Sequence, residues 1–404
     1  MGTSTPALDA VKRLVDRFDR DRKVFLSPDY KEEQLRNGLL SPNLVMLGGI
    51  NMRIVLAALL CLICSSSART AFGGTALLLW PTARSVALGG AMTAMADEPD
   101  AEFWNPGGLG FQPGASLSVS GRRWRYTSDL RYLSGGWTFS RVAGADIDVN
   151  AGLNLRQVDD DPQQVINDLG RLIGTYRPSE AACGIHGGVA FGKRFGAGIA
   201  LKYFHAVYIP GWVFDSLGVF PPGSEDLGAS ALAADAGLLY RPLSRLSVGL
   251  AVSSFGTKIS YTRSAAASNL PTTVRLGVCG TPVDIPSVRA RLLGEASLIL
   301  TEESTAFADA GRRLWKTAAA EVAFLQLITG RVSYLWVWDQ WNQWKGLRYG
   351  IGIGYKDYVR LDVAKEPTFR QVSNRSQWVY GLAANNIVGL IDELRQGARF
   401  DWSD

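Results

Sequence analysis

The sequence predicts an all-β protein: a transmembrane antiparallel β-barrel of about 14 strands with an N-terminal plug segment. A short extension, helical or disordered, precedes it. Three observations predict this. From residue 115 the chain falls into segments of roughly ten residues, apolar on one face and polar on the other. The connections between those segments alternate between short and long. A secretory signal pattern lies upstream.

Composition narrows the classes first. The 404 residues are 47% hydrophobic and 20% charged, with 44 Gly and 12 Trp. Charge falls below the roughly 25% of a soluble domain, and the apolar content argues against disorder. No Gly-X-Y period or sustained heptad points to collagen or a coiled coil. The net charge of +5 does not indicate nucleic-acid binding. Residues 1–68 hold 9 Lys+Arg against 7 Asp+Glu, which leaves 33 against 30 for the rest, with no basic run interleaved with aromatics.

Taken in order, residues 1–51 read as a mis-called or disordered N-terminal extension. Within it, Ala7–Arg36 (RFDRDRKVF, then Y.EEQLR) resembles the opening of some restriction–modification methyltransferases, but no methyltransferase motif follows. Residues 52–68, MRIVLAALLCLICSSSA, read as a signal peptide. Arg53 precedes an apolar run too short to span a bilayer, and Ser66 and Ala68 suit a signal peptidase. Met52 is then the working initiator, and Cys61 and Cys64 leave with the signal. Residues 69–114 form the periplasmic or plug segment, 115–386 the barrel and 387–404 a C-terminal tail.

The expected strands are 115–121, 129–140, 146–156, 183–193, 196–206, 231–241, 245–255, 272–280, 287–299, 316–325, 328–338, 347–356, 358–365 and 376–386. Ile147–Arg156 shows the pattern: Ile147, Val149, Ala151, Leu153 and Leu155 share one face, Asp148, Asn150, Gly152, Asn154 and Arg156 the other. Connections such as 194–195 and 326–327 are short; 157–182, 207–230 and 256–271 are long. Short turns with the termini at one end and long loops at the other fit an outer-membrane barrel, with the long loops extracellular. Whether 376–386 or the tail supplies the closing strand stays open.

Closure follows from chemistry. In lipid every backbone polar group must pair, and an open sheet leaves an edge unpaired. The polar face then becomes the lumen. By alternation it receives Asp148, Arg156, Lys202, Asp235, Arg275, Arg289, Arg291, Glu295, Glu321, Arg331, Arg360 and Asp362. Tyr334, Trp336 and Trp338 fall on one outward face, with Trp341 and Trp344 just beyond, as interfacial aromatics would. Cys183 points to lipid and Cys279 to the lumen on non-adjacent strands, so no disulfide is expected.

Ahead of the first strand, Ala83–Gly110 reads ARSVALGGAMTAMADEPDAEFWNPGGLG. This resembles the plug segment of the PorV/PorQ family within the FadL-like outer-membrane barrels, through Ala87–Ala91, Asp97, Asp100, Trp104, Asn105, Pro106, Gly107 and Leu109. Asp235–Val278 (DAGLLYRPLSRLSVGL, later LPTTVRLGV) carries a second match. From the residues alone, Gly89 and Gly90 permit close packing, and Asn105-Pro106-Gly107 reads as a tight turn. The segment is either a turn entering the first strand or a hatch inside the lumen.

The resemblance implies a secretion-accessory barrel of a type IX-like system, with exported cargo proteins and secretion subunits as partners. The alternative is a FadL-like channel for hydrophobic small molecules. About twelve inward ionisable groups favour the first reading. Outer-membrane lipid is a partner in both. No cofactor, metal site or enzyme activity is expected: only His186 and His205 could serve as imidazole bases, and no nucleophile motif is present. In the long loop 207–230, Trp212, Phe214 and Phe220 lie among prolines and form the expected contact surface or, alternatively, a lid.

Overall fold

The computed structural model describes residues 74–124, 128–140, 146–167, 170–217, 223–259, 267–300, 314–337, 344–366 and 377–397. The expected extension 1–51 and signal peptide 52–68 lie outside them, as do Phe220, Trp338 and Trp341.

The wall runs through β1 (Ala115–Trp124), β2 (Ser128–Phe139) and β3 (Ile147–Asp159). A small hairpin, β4 (Gln163–Ile166) and β5 (Leu172–Tyr176), stands apart as its own two-stranded sheet. The wall resumes with β6 (Ser179–Phe191), β7 (Phe195–Ile209), β8 (Leu227–Leu243), β9 (Leu246–Gly256) and β10 (Thr273–Ile285). It ends with β11 (Val288–Ile299), β12 (Trp315–Phe324), β13 (Ile328–Trp336), β14 (Gly346–Tyr355), β15 (Val359–Glu366) and β16 (Gln377–Ala384). Every neighbour pairs antiparallel, and β16 closes the ring on β1 with Val119 opposite Leu382. The closed wall therefore has the fourteen strands that the alternation predicts.

The open question at the C-terminus resolves in favour of 377–384 as the closing strand; the tail forms a helix, Ile387–Gly397. The loop 157–182 carries the β4–β5 hairpin, and 207–230 carries a helix, Gly211–Leu217. Both were expected as plain loops. Each is too short to show a period of its own.

Burial is inverted relative to a water-soluble protein. Leu153, Ile185, Leu232 and Leu361 stand 57–66% exposed on the outside. Arg156, Lys202, Arg275, Glu321 and Arg331 are buried inside. Such a surface is stable only against acyl chains, because burying each apolar side chain is worth about 1.5–3 kcal/mol. No helix among the described residues is long and apolar enough to cross a membrane; strands do the crossing. A closed antiparallel barrel with a lipid-facing apolar belt is an outer-membrane protein.

Cys183 is exposed to the outside, Cys279 is buried, and both thiols are free. At the β8–β9 pairing the register shifts between Ala234 and Ala236, and Ser254 takes φ 57°. The Asp235 carboxylate fills the lost rung by accepting the Ser254 N–H at 2.7 Å.

Candidate functional site

The lumen is filled by residues 74–112, so the segment is a hatch rather than a simple turn. Two short helices, Ala83–Ala87 and Ala101–Trp104, and a 3-10 turn, Pro106–Phe111, supply its frame. Thr82 caps the first helix through a reciprocal pair with Ser85. Gly89 and Gly90 adopt φ +61° and +81°, which a side chain would strain. A Cβ at Gly89 would also lie 2.7 Å from Ser333 Oγ.

The hatch meets the wall in three ways. The first is ionic. Arg84 donates to Asp97 (2.7 Å), Glu98 (2.6 Å) and Glu321 (2.9 Å). Arg291 bridges Asp97 (3.1 Å) and Glu321 (2.8 Å), and Arg331 bridges Glu321 (2.7 Å) and Asp362 (2.6 Å). Arg360 joins Asp362 at 2.8 Å and also reaches Glu98. Four guanidinium groups thus face four carboxylates. Desolvation makes such a network expensive unless every charge is answered, and here the charges balance.

The second contact is backbone against backbone. Inward glycines of β6 to β9 leave a saddle into which Asn105–Gly110 is pressed. A Cβ at Gly196 would lie 2.1 Å from Gly107 O, and one at Gly198 2.1 Å from Pro106 O. One at Gly237 would meet Asn105 Oδ1 at 2.0 Å, and one at Gly249 would meet Thr93 O at 2.0 Å. Asn105 ties the turn down: Nδ2 donates to Thr93 O (2.7 Å) and Leu238 O (2.9 Å), and Oδ1 accepts from Gly107 N (2.9 Å). Trp104 is buried beside Phe103, ring centroids 4.9 Å apart at 85°.

The third contact is apolar. Residues 74–80 form a tip at the long-loop end, where the inward positions are Leu130, Val158, Ala182, Phe204 and Ala231. Leu77 and Leu79 pack among them, closed over by Ile259 and Leu270. Two hydrogen bonds hold the tip's backbone: Ala76 N donates to Glu180 Oε2 (2.6 Å), and Arg156 Nη1 donates to Ala76 O (2.7 Å).

The remaining sequence-selected residues sort by depth. Lys202 pairs with Asp235 and reaches Glu102 at 3.4 Å. Arg275 donates to Ser253 Oγ at 2.5 Å and lies over the Trp104 ring at 5.3 Å. Glu295 accepts from Thr93 N at 3.0 Å. Arg289 sits at the short-turn rim, on Asp284 (3.0 Å) and Asp357 (3.1 Å). Asp148 is half-buried near the short-turn end of β3. Alternation fixes a face and not a depth, which is why these two were grouped with the others.

Trp212 is 39% exposed and lies on the β4–β5 hairpin, its ring 2.8 Å from where a Gly174 Cβ would be and edge-on to Tyr176. Phe214 is half-buried. Ser230 Oγ and His205 Nδ1 lie 2.9 Å apart as directly opposed residues of β8 and β7, on the outside of the wall.

Alternation could not find Arg84, Glu98 and Glu102, which lie on the hatch. Burial works against Glu102 ionising, but Lys202, His186 and Arg156 hold its carboxyl below the usual range. Asp100 is the opposite case. Burial, with the charge of Glu98 beside it, pushes its carboxyl up to about 7. One of its oxygens accepts from Thr82 Oγ1 at 2.7 Å; the other has no hydrogen-bond partner.

Fold and lumen define the class: a plugged outer-membrane β-barrel. No protein-family model and no curated protein matches the chain. Among solved structures it is similar to the Ralstonia pickettii toluene transporter TbuX, at 12% identity over 77% of this chain and 99% of that one, with a TM-score of 0.46. The Pseudomonas putida toluene transporter TodX gives 12%, 79%, 99% and 0.47 in the same order. A Pseudomonas aeruginosa FadL homologue gives 14%, 76%, 98% and 0.38. At this level the likeness adds nothing to what the strand pairing itself shows.

Proposed function

We propose that this barrel is a channel for hydrophobic small molecules. The observation that carries the proposal is the split character of the lumen. Its long-loop half carries an apolar cluster, Leu130, Val158, Phe204 and Ala231, which holds an apolar tip beside the buried charges Arg122, Glu366, Glu180 and Arg156, whereas its other half is an ionic and glycine-packed seat. An apolar solute can replace Leu77 and Leu79 against Phe204 and Ala231 with little change in buried area. No such exchange is open to it at Arg84 or Asn105. The long-loop chamber is therefore the entry, and the tip is the displaceable part. No catalytic step enters this proposal.

The test is uptake of radiolabelled toluene and of palmitate by proteoliposomes. Ala231→Glu places a carboxylate in the chamber wall. It is expected to lower uptake at least about tenfold, since one buried unpaired charge outweighs the 1.4 kcal/mol that a factor of ten requires. Undiminished uptake by a correctly folded Ala231→Glu barrel overturns the reading.

The second reading, a secretion-accessory barrel receiving exported cargo, is supported by the sequence resemblance at 83–110 and 235–278. Lumen charge does not favour it, because Arg291, Arg331, Arg360 and Glu321 are engaged with the hatch and with one another. Co-purification of exported cargo with the barrel, absent when uptake is normal, would support it over the channel.

A further inference from the structure

The helix Ile387–Gly397 leaves an apolar face without a protein neighbour. It starts where β16 ends. Asn386, at φ 48°, turns the chain, and its Oδ1 accepts from Gly389 N at 3.2 Å to cap the helix. Ile387, Leu390, Ile391 and Leu394 share one face at helical spacing. Val388, Ile391 and Leu394 are 38%, 42% and 60% exposed.

The helix's direction is fixed by one residue. Glu393 Oε1 accepts from Tyr355 Oη (2.8 Å) and Lys356 Nζ (2.5 Å), at the end of β14. From Ile387 to Glu393 a helix rises about 9 Å. Two strand spacings, β16 to β14, are also about 9–10 Å. The helix therefore runs along the rim, tangent to the barrel, and does not turn under the lumen. Tyr355 ends the lipid-facing row Ile351, Ile353, Tyr355, all about half exposed. The helix is thus tied to the edge of the apolar belt, and Leu325 and Leu327 extend the exposed apolar rim at the next turn.

We infer that this helix is an interfacial element seated in the periplasmic leaflet, its Ile391–Leu394 face against the acyl boundary. An exposed apolar face on an 11-residue amphipathic helix is unstable in water and suited to the headgroup layer. Arg395 flanks that face and is long enough to reach lipid phosphates. Glu393 fixes the azimuth, because turning the helix would break its bonds to Tyr355 and Lys356.

The experiment uses the full barrel in vesicles of phosphatidylethanolamine and phosphatidylglycerol. Nitroxide labels are placed at Ile391→Cys, Asp392→Cys and Leu394→Cys in a background lacking native thiols. Collision with oxygen is compared with collision with a water-soluble nickel chelate. Labels at 391 and 394 should favour oxygen several-fold over the label at 392. Leu390→Cys, on the same face, repeats the reading if a variant fails to fold. Nickel access at 394 equal to that at 392 would overturn the inference. So would a label at 394 shielded from both reagents, which means a protein partner covers the face.

Discussion

Two stretches of one plug are held by different physics. Residues 82–112 are held by balanced charge and by backbone pressed onto glycine, both short-ranged and geometrically exacting. Residues 74–80 are held mainly by apolar contact, which is non-directional and which any apolar molecule of similar size can replace. On the channel reading proposed above, the tip is the part that gives way to solute and the seat is the part that stays.

Breaking the ionic seat should have the largest effect. Arg84→Ala leaves three guanidinium groups, Arg291, Arg331 and Arg360, against four buried carboxylates, and losing one partner of a buried ionic pair costs about 3–5 kcal/mol. Denaturant unfolding should show that loss, and ion conductance across planar bilayers should rise as the hatch loosens.

Overfilling the saddle comes next. Gly198→Ala drives a methyl group into Pro106 O, and overpacking of this kind costs about 1–3 kcal/mol. Limited proteolysis should then cut the 101–111 segment in the variant and spare it in the parent. Equal protection would mean that the wall yields and the saddle does not seat the turn.

A smaller effect sharpens the comparison through pH. The Asp100 carboxyl is pushed up to about 7 in the folded hatch, so the folded state keeps a proton that the unfolded chain releases near pH 4. Its contribution is fully present below pH 4 and is lost as pH rises through about 7. Seat stability should therefore fall across that window by at most about 1.4 kcal/mol per pH unit. Asp100→Asn should remove its part of the slope, as read by melting of the barrel at pH 5 and pH 8.

The smallest effect on the barrel should come from the tip. Leu79→Ala opens a void only where the chain can move away, so barrel melting should stay within about 0.5 kcal/mol of the parent. A loss of several kcal/mol would instead make the tip part of the structural core.

The wall was largely legible in the sequence because lipid imposes a period-2 rule on every strand. The strands 146–156 and 347–356 read directly from Ile147, Val149 and Leu153, and from the Tyr-Ile-Ile-Tyr face of 349–355. The motif at 83–110 marked the hatch, and Asp97, Trp104, Asn105, Pro106 and Gly107 are all buried in it or at its edge. The wiring was not legible. Arg84 and Glu321 are 237 residues apart, and no local pattern links them. The inward glycines were visible as gaps, but the reason for them is a distant segment: at Gly237 a Cβ would sit 2.0 Å from Asn105 Oδ1. Depth was also hidden, so Arg289 was grouped with residues it does not touch. The apolar cluster escaped notice because its alanines, at 182, 229, 231 and 233, look neutral in an alternating strand until Phe204 and Leu79 are brought against them.

Hydrogen exchange of the hatch in the reconstituted barrel, with and without toluene or palmitate, tests the split most directly. The account predicts faster exchange at 74–80 when an apolar solute is present and unchanged protection at 101–111. Joint acceleration of both stretches, or of neither, would contradict it.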